Sequence, residues 1–111
     1  MPESIPLFEI PWEAQDIQNV TESIGRGGYW ANGPFVEQFE EMVASYLDVE
    51  HAIAVNSGTS AIMAGLVGAG VEDGDEVILP SFTQQATANS VKMIGAEPVF
   101  ADVDRDTYAL D

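Results

Sequence analysis

Between His51 and Ala101 short strand-like runs alternate with helical stretches, and this alternation restricts the fold more than any other feature of the chain. His51-Ala-Ile-Ala-Val55 is an apolar run of strand length that ends in the turn composition Asn56-Ser57-Gly58. Thr59 to Gly70 reads as a helix, Val71-Glu72-Asp73-Gly74-Asp75 as a turn, and Glu76 to Leu79 as a buried strand. A second helix over Thr83 to Ile94 is closed by Gly95, and Pro98 to Ala101 forms a third strand. Strand, helix, strand, helix, strand with short connections predicts an α/β protein of parallel strands joined by right-handed crossovers.

Ahead of this region, Pro2, Pro6 and Pro11 mark residues 1–12 as an extended arm. A first helix is expected near Glu13–Ile24, where Ile17, Val20 and Ile24 share a face, and Gly25, Gly27, Gly28 and Gly33 then break the pattern. From Pro34 to Leu47, Phe35, Val36, Phe39, Met42, Val43, Tyr46 and Leu47 recur at helical spacing with Glu37, Glu40 and Glu41 between them. The three glutamates read as a solvated face rather than as a paired acid/base site. Trp12, Tyr29 and Trp30 read as packing residues rather than as a platform for a base.

Composition limits the function classes. Nineteen Asp and Glu against three Lys and Arg give a net charge of −16 over 111 residues. Nucleic acid and anionic membranes are repelled by such a surface, because phosphate neutralisation needs basic side chains. Acidity of this kind often means disorder, but ten aromatic side chains and 46% hydrophobic residues describe an acidic shell on an ordinary core, enough for one modest domain. Halophilic proteins fit this description, since salt screens the self-repulsion; an acidic mesophilic protein is the alternative. The absence of cysteine excludes disulfides, thiolate metal sites and a cysteine nucleophile, and His51 stands alone, which excludes a histidine metal cluster. With no apolar run of the roughly 18 residues that a membrane span needs and no basic start at Met1, the chain reads as cytoplasmic.

The segment Val55-Asn56-Ser57-Gly58-Thr59-Ser60-Ala61 is the most informative, a strand that passes through a glycine turn into a helix. Free N–H groups and the positive dipole end at a helix start form an anion site, and flanking hydroxyls add donors. Ser and Thr are also favoured helix caps whatever the site binds, so the residues alone allow either a phosphate cradle or a plain N-cap. No Gly-Lys pair makes this a P-loop, and Gly68-Ala69-Gly70 has Asp73 where a dinucleotide fingerprint needs its third glycine.

In order along the chain, Gly33-Pro34 with Phe39-Glu40, His51-Ala-Ile-Ala-Val-Asn-Ser-Gly-Thr-Ser-Ala61, Gly74-Asp-Glu-Val-Ile-Leu-Pro-Ser-Phe-Thr83, Ala86-Thr-Ala-Asn89 and Gly95-Ala-Glu-Pro-Val-Phe-Ala-Asp-Val-Asp104 form a specific set. The set resembles the DegT/DnrJ/EryC1/StrS family of pyridoxal-phosphate sugar aminotransferases from about Ile5 onward. The resemblance implies the amino-terminal part of the fold-type I large domain, a three-layer αβα architecture with a mostly parallel sheet. It further implies a homodimer with shared active sites, pyridoxal 5′-phosphate as cofactor, and transfer of an amino group from glutamate to a nucleotide-linked keto sugar. Residues 1–33 then form an arm and first helix, and residues 34–111 a partial cofactor-binding domain. Carried over by motif, Gly58, Thr59 and Ser60 contact the cofactor phosphate, and the segment around Trp30–Gly33 lies near the dimer's active site.

Two departures from the family pattern follow. The position after Ser-Phe-Thr, usually aromatic and set against the pyridine ring, is Gln84, an amide that lies flat but lacks the aromatic's area and quadrupole. The family's Schiff-base lysine and the carboxylate that pairs with the pyridine nitrogen come in segments beyond the counterpart of Asp111, so the chain is expected to stop short of both and to be inactive alone. Lys92, the sole lysine, matches no Schiff-base motif and reads as a peripheral charge. The alternatives are a non-catalytic phosphate-binding or interaction module derived from this fold, or a non-functional remnant.

Overall fold

The computed structural model describes residues 5–28 and 33–111, which group into two compact units, residues 1–54 and 55–111. The expected arm-and-helix division at residue 33 falls inside the first unit, and the expectations for Tyr29 and Trp30 lie outside the described residues.

In the first unit, residues 5–13 carry no helix or strand and leave Leu7 and Trp12 exposed, so Trp12 does not pack as expected. Helix α1 spans Ala14–Gly25, with the Asp16 carboxylate accepting the Glu13 N–H at 2.7 Å and so covering one of the donors a helix start leaves open. Helix α2 spans Pro34–Leu47, as the apolar spacing requires, and Pro34 opens it where a missing N–H costs nothing. It ends at Asp48 in a left-handed conformation, φ 53°, closed by Asp48 N–H to Ser45 O (3.4 Å) and Val49 N–H to Ala44 O (3.0 Å).

The expected strand over His51–Val55 has no ladder partner among the described residues. Its period is nevertheless present: Ala52 and Ala54 are half-buried, while His51, Ile53 and Val55 are exposed. A side chain holds this backbone where a strand would otherwise do so, because the Glu40 carboxylate accepts the Ala54 N–H at 2.7 Å. Glu40 is therefore half-buried and committed to the backbone, while Glu37 and Glu41 form the solvated face that was expected.

The second unit is built on a β-α-β element. Helix α3 (Gly58–Gly68) precedes β1 (Glu76–Pro80), α4 (Gln85–Met93) and β2 (Glu97–Ala101), and β1 pairs in parallel with β2 in the register Ile78↔Val99. Leu79, Val91 and Ala96 are the fully buried apolar residues, and Leu66, Val71, Val77, Ala88 and Ile94 pack against them. Both α3 and α4 end in a left-handed glycine with two reverse hydrogen bonds. Gly70 N–H reaches Val67 O (3.0 Å) with Val71 N–H on Leu66 O (3.0 Å), and Gly95 N–H reaches Lys92 O (3.1 Å) with Ala96 N–H on Val91 O (3.2 Å). In each cap the residue after the glycine packs into the core beside the helix's last turn, so the turn chemistry delivers the chain to its next element in register. Downstream, an isolated antiparallel bridge joins Val103 to Leu110 around a turn held by Asp104.

Candidate functional site

The turn that joins residues 55–57 to α3 has the geometry of a helix start open to an anion. Ser57 is the N-cap in extended conformation, and its Oγ accepts the Ser60 N–H at 3.2 Å. Ala61 N–H bonds Ser57 O at 3.0 Å, the first regular helical bond. The N–H groups of Gly58 and Thr59 have no acceptor among the described residues, and neither lies in a strand ladder. A Cβ built on Gly58 would meet nothing within 4 Å, so the surrounding protein does not require glycine there; its bareness leaves the adjacent N–H groups reachable.

The hydroxyls are partly organised. Ser60 Oγ donates to Asn56 Oδ1 at 2.7 Å and lies 3.1 Å from Ser57 Oγ, so Asn56 fixes the Ser60 rotamer across the turn. This role of Asn56 was hidden in a composition that signals only a turn. Thr59 and Ser60 are half-buried. Gln84 stands apart as the exposed N-cap of α4, and no hydrogen bond joins its amide to the α3 turn. The structure thus brings Gly58, Thr59 and Ser60 together on one helical turn and sets Gln84 at the start of another helix.

Charge is unevenly distributed along the chain around this turn. In a chain of net charge −16, residues 52–71 carry no charged side chain, and neither do residues 77–91. Those two windows contain α3, with no acidic residue in its first turn, and the start of α4. An acid in the first turn normally favours a helix dipole, so excluding acids here forgoes stabilisation of roughly 0.3–1 kcal/mol per residue and leaves the positive end free.

Lys92 and His51 are exposed and engaged with neighbouring acids. Lys92 Nζ meets Glu97 Oε2 at 2.6 Å, and His51 Nε2 lies 3.5 Å from Glu50 Oε1.

Residues 11–111 match the DegT/DnrJ/EryC1/StrS aminotransferase family. The chain belongs to this family. It is 41% identical over its whole length to the spore coat polysaccharide biosynthesis protein SpsC of Bacillus subtilis, of which it covers 27%. Over 79 residues, 71% of the chain, it is 51% identical to 21% of the GDP-perosamine synthase of Caulobacter vibrioides. Among solved structures, the pyridoxal-phosphate form of the putative sugar aminotransferase Spr1654 of Streptococcus pneumoniae superposes with a TM-score of 0.88 at 29% identity, covering 98% of this chain and 28% of that one. The chain therefore spans about a quarter of the length of the relatives it matches. Its β-α-β unit is a fragment of the fold-type I architecture, and no helix among the described residues is long and apolar enough to cross a membrane.

Proposed function

We propose that these residues supply the cofactor-phosphate cradle of a pyridoxal-phosphate-dependent aminotransferase that moves an amino group from glutamate to a nucleotide-linked keto sugar. The observation that carries the reading is the start of α3, with two N–H groups that have no acceptor among the described residues and no charged side chain from residue 52 to 71 in a chain otherwise crowded with acids. Gly58 and Thr59 donate backbone N–H groups to the phosphate, the Thr59 hydroxyl adds a donor, and the Ser60 hydroxyl joins the set by turning its one proton from Asn56 Oδ1 to the phosphate. Gln84 lies against the ring as a flat amide in place of an aromatic. When bound, the cofactor supplies the electron-withdrawing ring on which amino-group exchange depends. The residues described above bind and orient; Lys92, exposed and paired with Glu97, is not placed to act as a nucleophile.

Relatives named as a 3-oxo-glucose-6-phosphate:glutamate aminotransferase and as GDP-perosamine synthases support both the amino donor and the sugar class. The protein carrying these residues, supplied with pyridoxal phosphate, glutamate and a panel of nucleotide-linked keto sugars, is expected to release 2-oxoglutarate with one or more of them, whereas residues 1–111 alone release none. Phosphate-dependent binding without turnover of any sugar would instead support a non-catalytic module.

A further inference from the structure

We infer that Ser90 is a positioning residue for the phosphate-binding turn, an inference that rests on the reading proposed above. Ser90 lies on α4 and is the fully buried polar side chain among the described residues, at 0% exposure. Its hydroxyl lies 2.8 Å from Ala86 O, the i−4 bond that a helical serine makes by default, and 3.1 Å from Thr59 O, in the first turn of α3. The hydroxyl has one proton, so the two contacts share it, the shorter to Ala86 O and the second to Thr59 O. The second exists because α3 and α4 pack at this point, and it joins the first turn of α3 to a helix whose next residue, Val91, is in the core.

The consequence follows from peptide planarity. Thr59 C=O and Ser60 N–H belong to one rigid unit, so a donor holding the oxygen from behind also sets the direction of the N–H in front. That N–H is the one received by Ser57 Oγ, and the neighbouring Thr59 N–H is one of the two left open. Ser90 cannot touch a ligand from its buried position. It acts through Thr59, fixing the plane from which the cradle's donors project.

Pyridoxine 5′-phosphate and pyridoxine test this, since neither carries an aldehyde and both report non-covalent binding only. In the protein carrying these residues, Ser90→Ala is expected to weaken pyridoxine 5′-phosphate binding about three- to tenfold, the effect of one neutral hydrogen bond, with pyridoxine changed by less than about twofold. Ser90→Cys, a weaker donor of similar shape, is expected to fall between and serves if Ser90→Ala folds poorly. Amide exchange at Ser60 in the ligand-free protein should accelerate in both variants. A wild type that binds the two ligands equally would remove the phosphate reading and this inference with it. A wild type that prefers the phosphate, with the whole preference and the Ser60 exchange rate retained in Ser90→Ala, would overturn the positioning role alone. Equal loss of both ligands would reduce Ser90 to a packing residue and also overturn it.

Discussion

Replacing Gly95 by Ala probes the element that sets the β1–β2 register. Gly95 has φ +86°, a region that costs a residue with a Cβ about 1–2 kcal/mol. The new Cβ would stand 2.1 Å from Asp73 Oδ1 and 3.0 Å from its Cγ, so the carboxylate has to move. Asp73 is exposed, and displacing it to another rotamer adds on the order of 0.5–1.5 kcal/mol. A total of about 1.5–3.5 kcal/mol is expected, a large share of the roughly 5–15 kcal/mol that holds a domain together. The same loop carries Gly74 N–H to Gly95 O (3.1 Å) and Glu97 N–H to Asp75 O (2.7 Å), so the loss should appear first as faster amide exchange at Gly74, Ala96 and Glu97. Denaturant unfolding of Gly95→Ala and of Asp73→Ala/Gly95→Ala separates the two contributions, because the double variant retains only the backbone cost of about 1–2 kcal/mol. A Gly95→Ala protein within about 0.5 kcal/mol of wild type, or complete rescue by Asp73→Ala, would refute the assignment of the cost to the left-handed cap.

Asp48 occupies the equivalent cap of α2 without being glycine, at φ 53°, and places a negative charge at a helix carboxyl end; Asp48→Gly is expected to stabilise by about 1 kcal/mol in denaturant unfolding. The Asp104 carboxyl is held below the usual carboxylate range by Thr107 N–H, then by the Thr107 hydroxyl and Asp106 N–H. Its folded value being depressed, the stabilisation is present above the unfolded value of about 4 and is lost as pH falls through the lower folded value; Thr107→Val should move the Asp104 titration upward by carboxyl NMR. Among the described residues Lys92–Glu97 is the lysine–carboxylate pair, leaving most of the acids to repel one another, so stability by circular dichroism is expected to rise from low to molar KCl. Equal stability throughout would remove the self-repulsion argument.

What the sequence makes legible depends on how local the cause is. Helix α2 was readable to its ends because Pro34 and a strong apolar period both act within the segment, and β1, α4 and β2 emerged within a residue or two for the same reason. The glycine caps at Gly70 and Gly95 are sequence signals, whereas Asp48 in the same conformation gives no such signal. The apolar run His51–Val55 has the composition of a strand, but a ladder needs a partner, and none is present among the described residues. At the turn before α3, a glycine followed by hydroxyl residues marks Gly58, Thr59 and Ser60 as a helix start, and the structure places all three in the first turn of α3. Ser90 was not visible because a serine inside an amphipathic helix looks like solvated surface until the packing of α3 against it is known. Glu40 is hidden in the same way: its bond to the Ala54 N–H spans 14 residues, beyond any periodicity.

The most direct test of the phosphate cradle is a structure of the protein carrying these residues with pyridoxal 5′-phosphate bound. Phosphate oxygens are expected at hydrogen-bond distance, about 2.7–3.2 Å, from the Gly58 and Thr59 nitrogens and from the Thr59 or Ser60 hydroxyl. A phosphate held elsewhere, with the start of α3 facing solvent or covered by protein, would contradict the account.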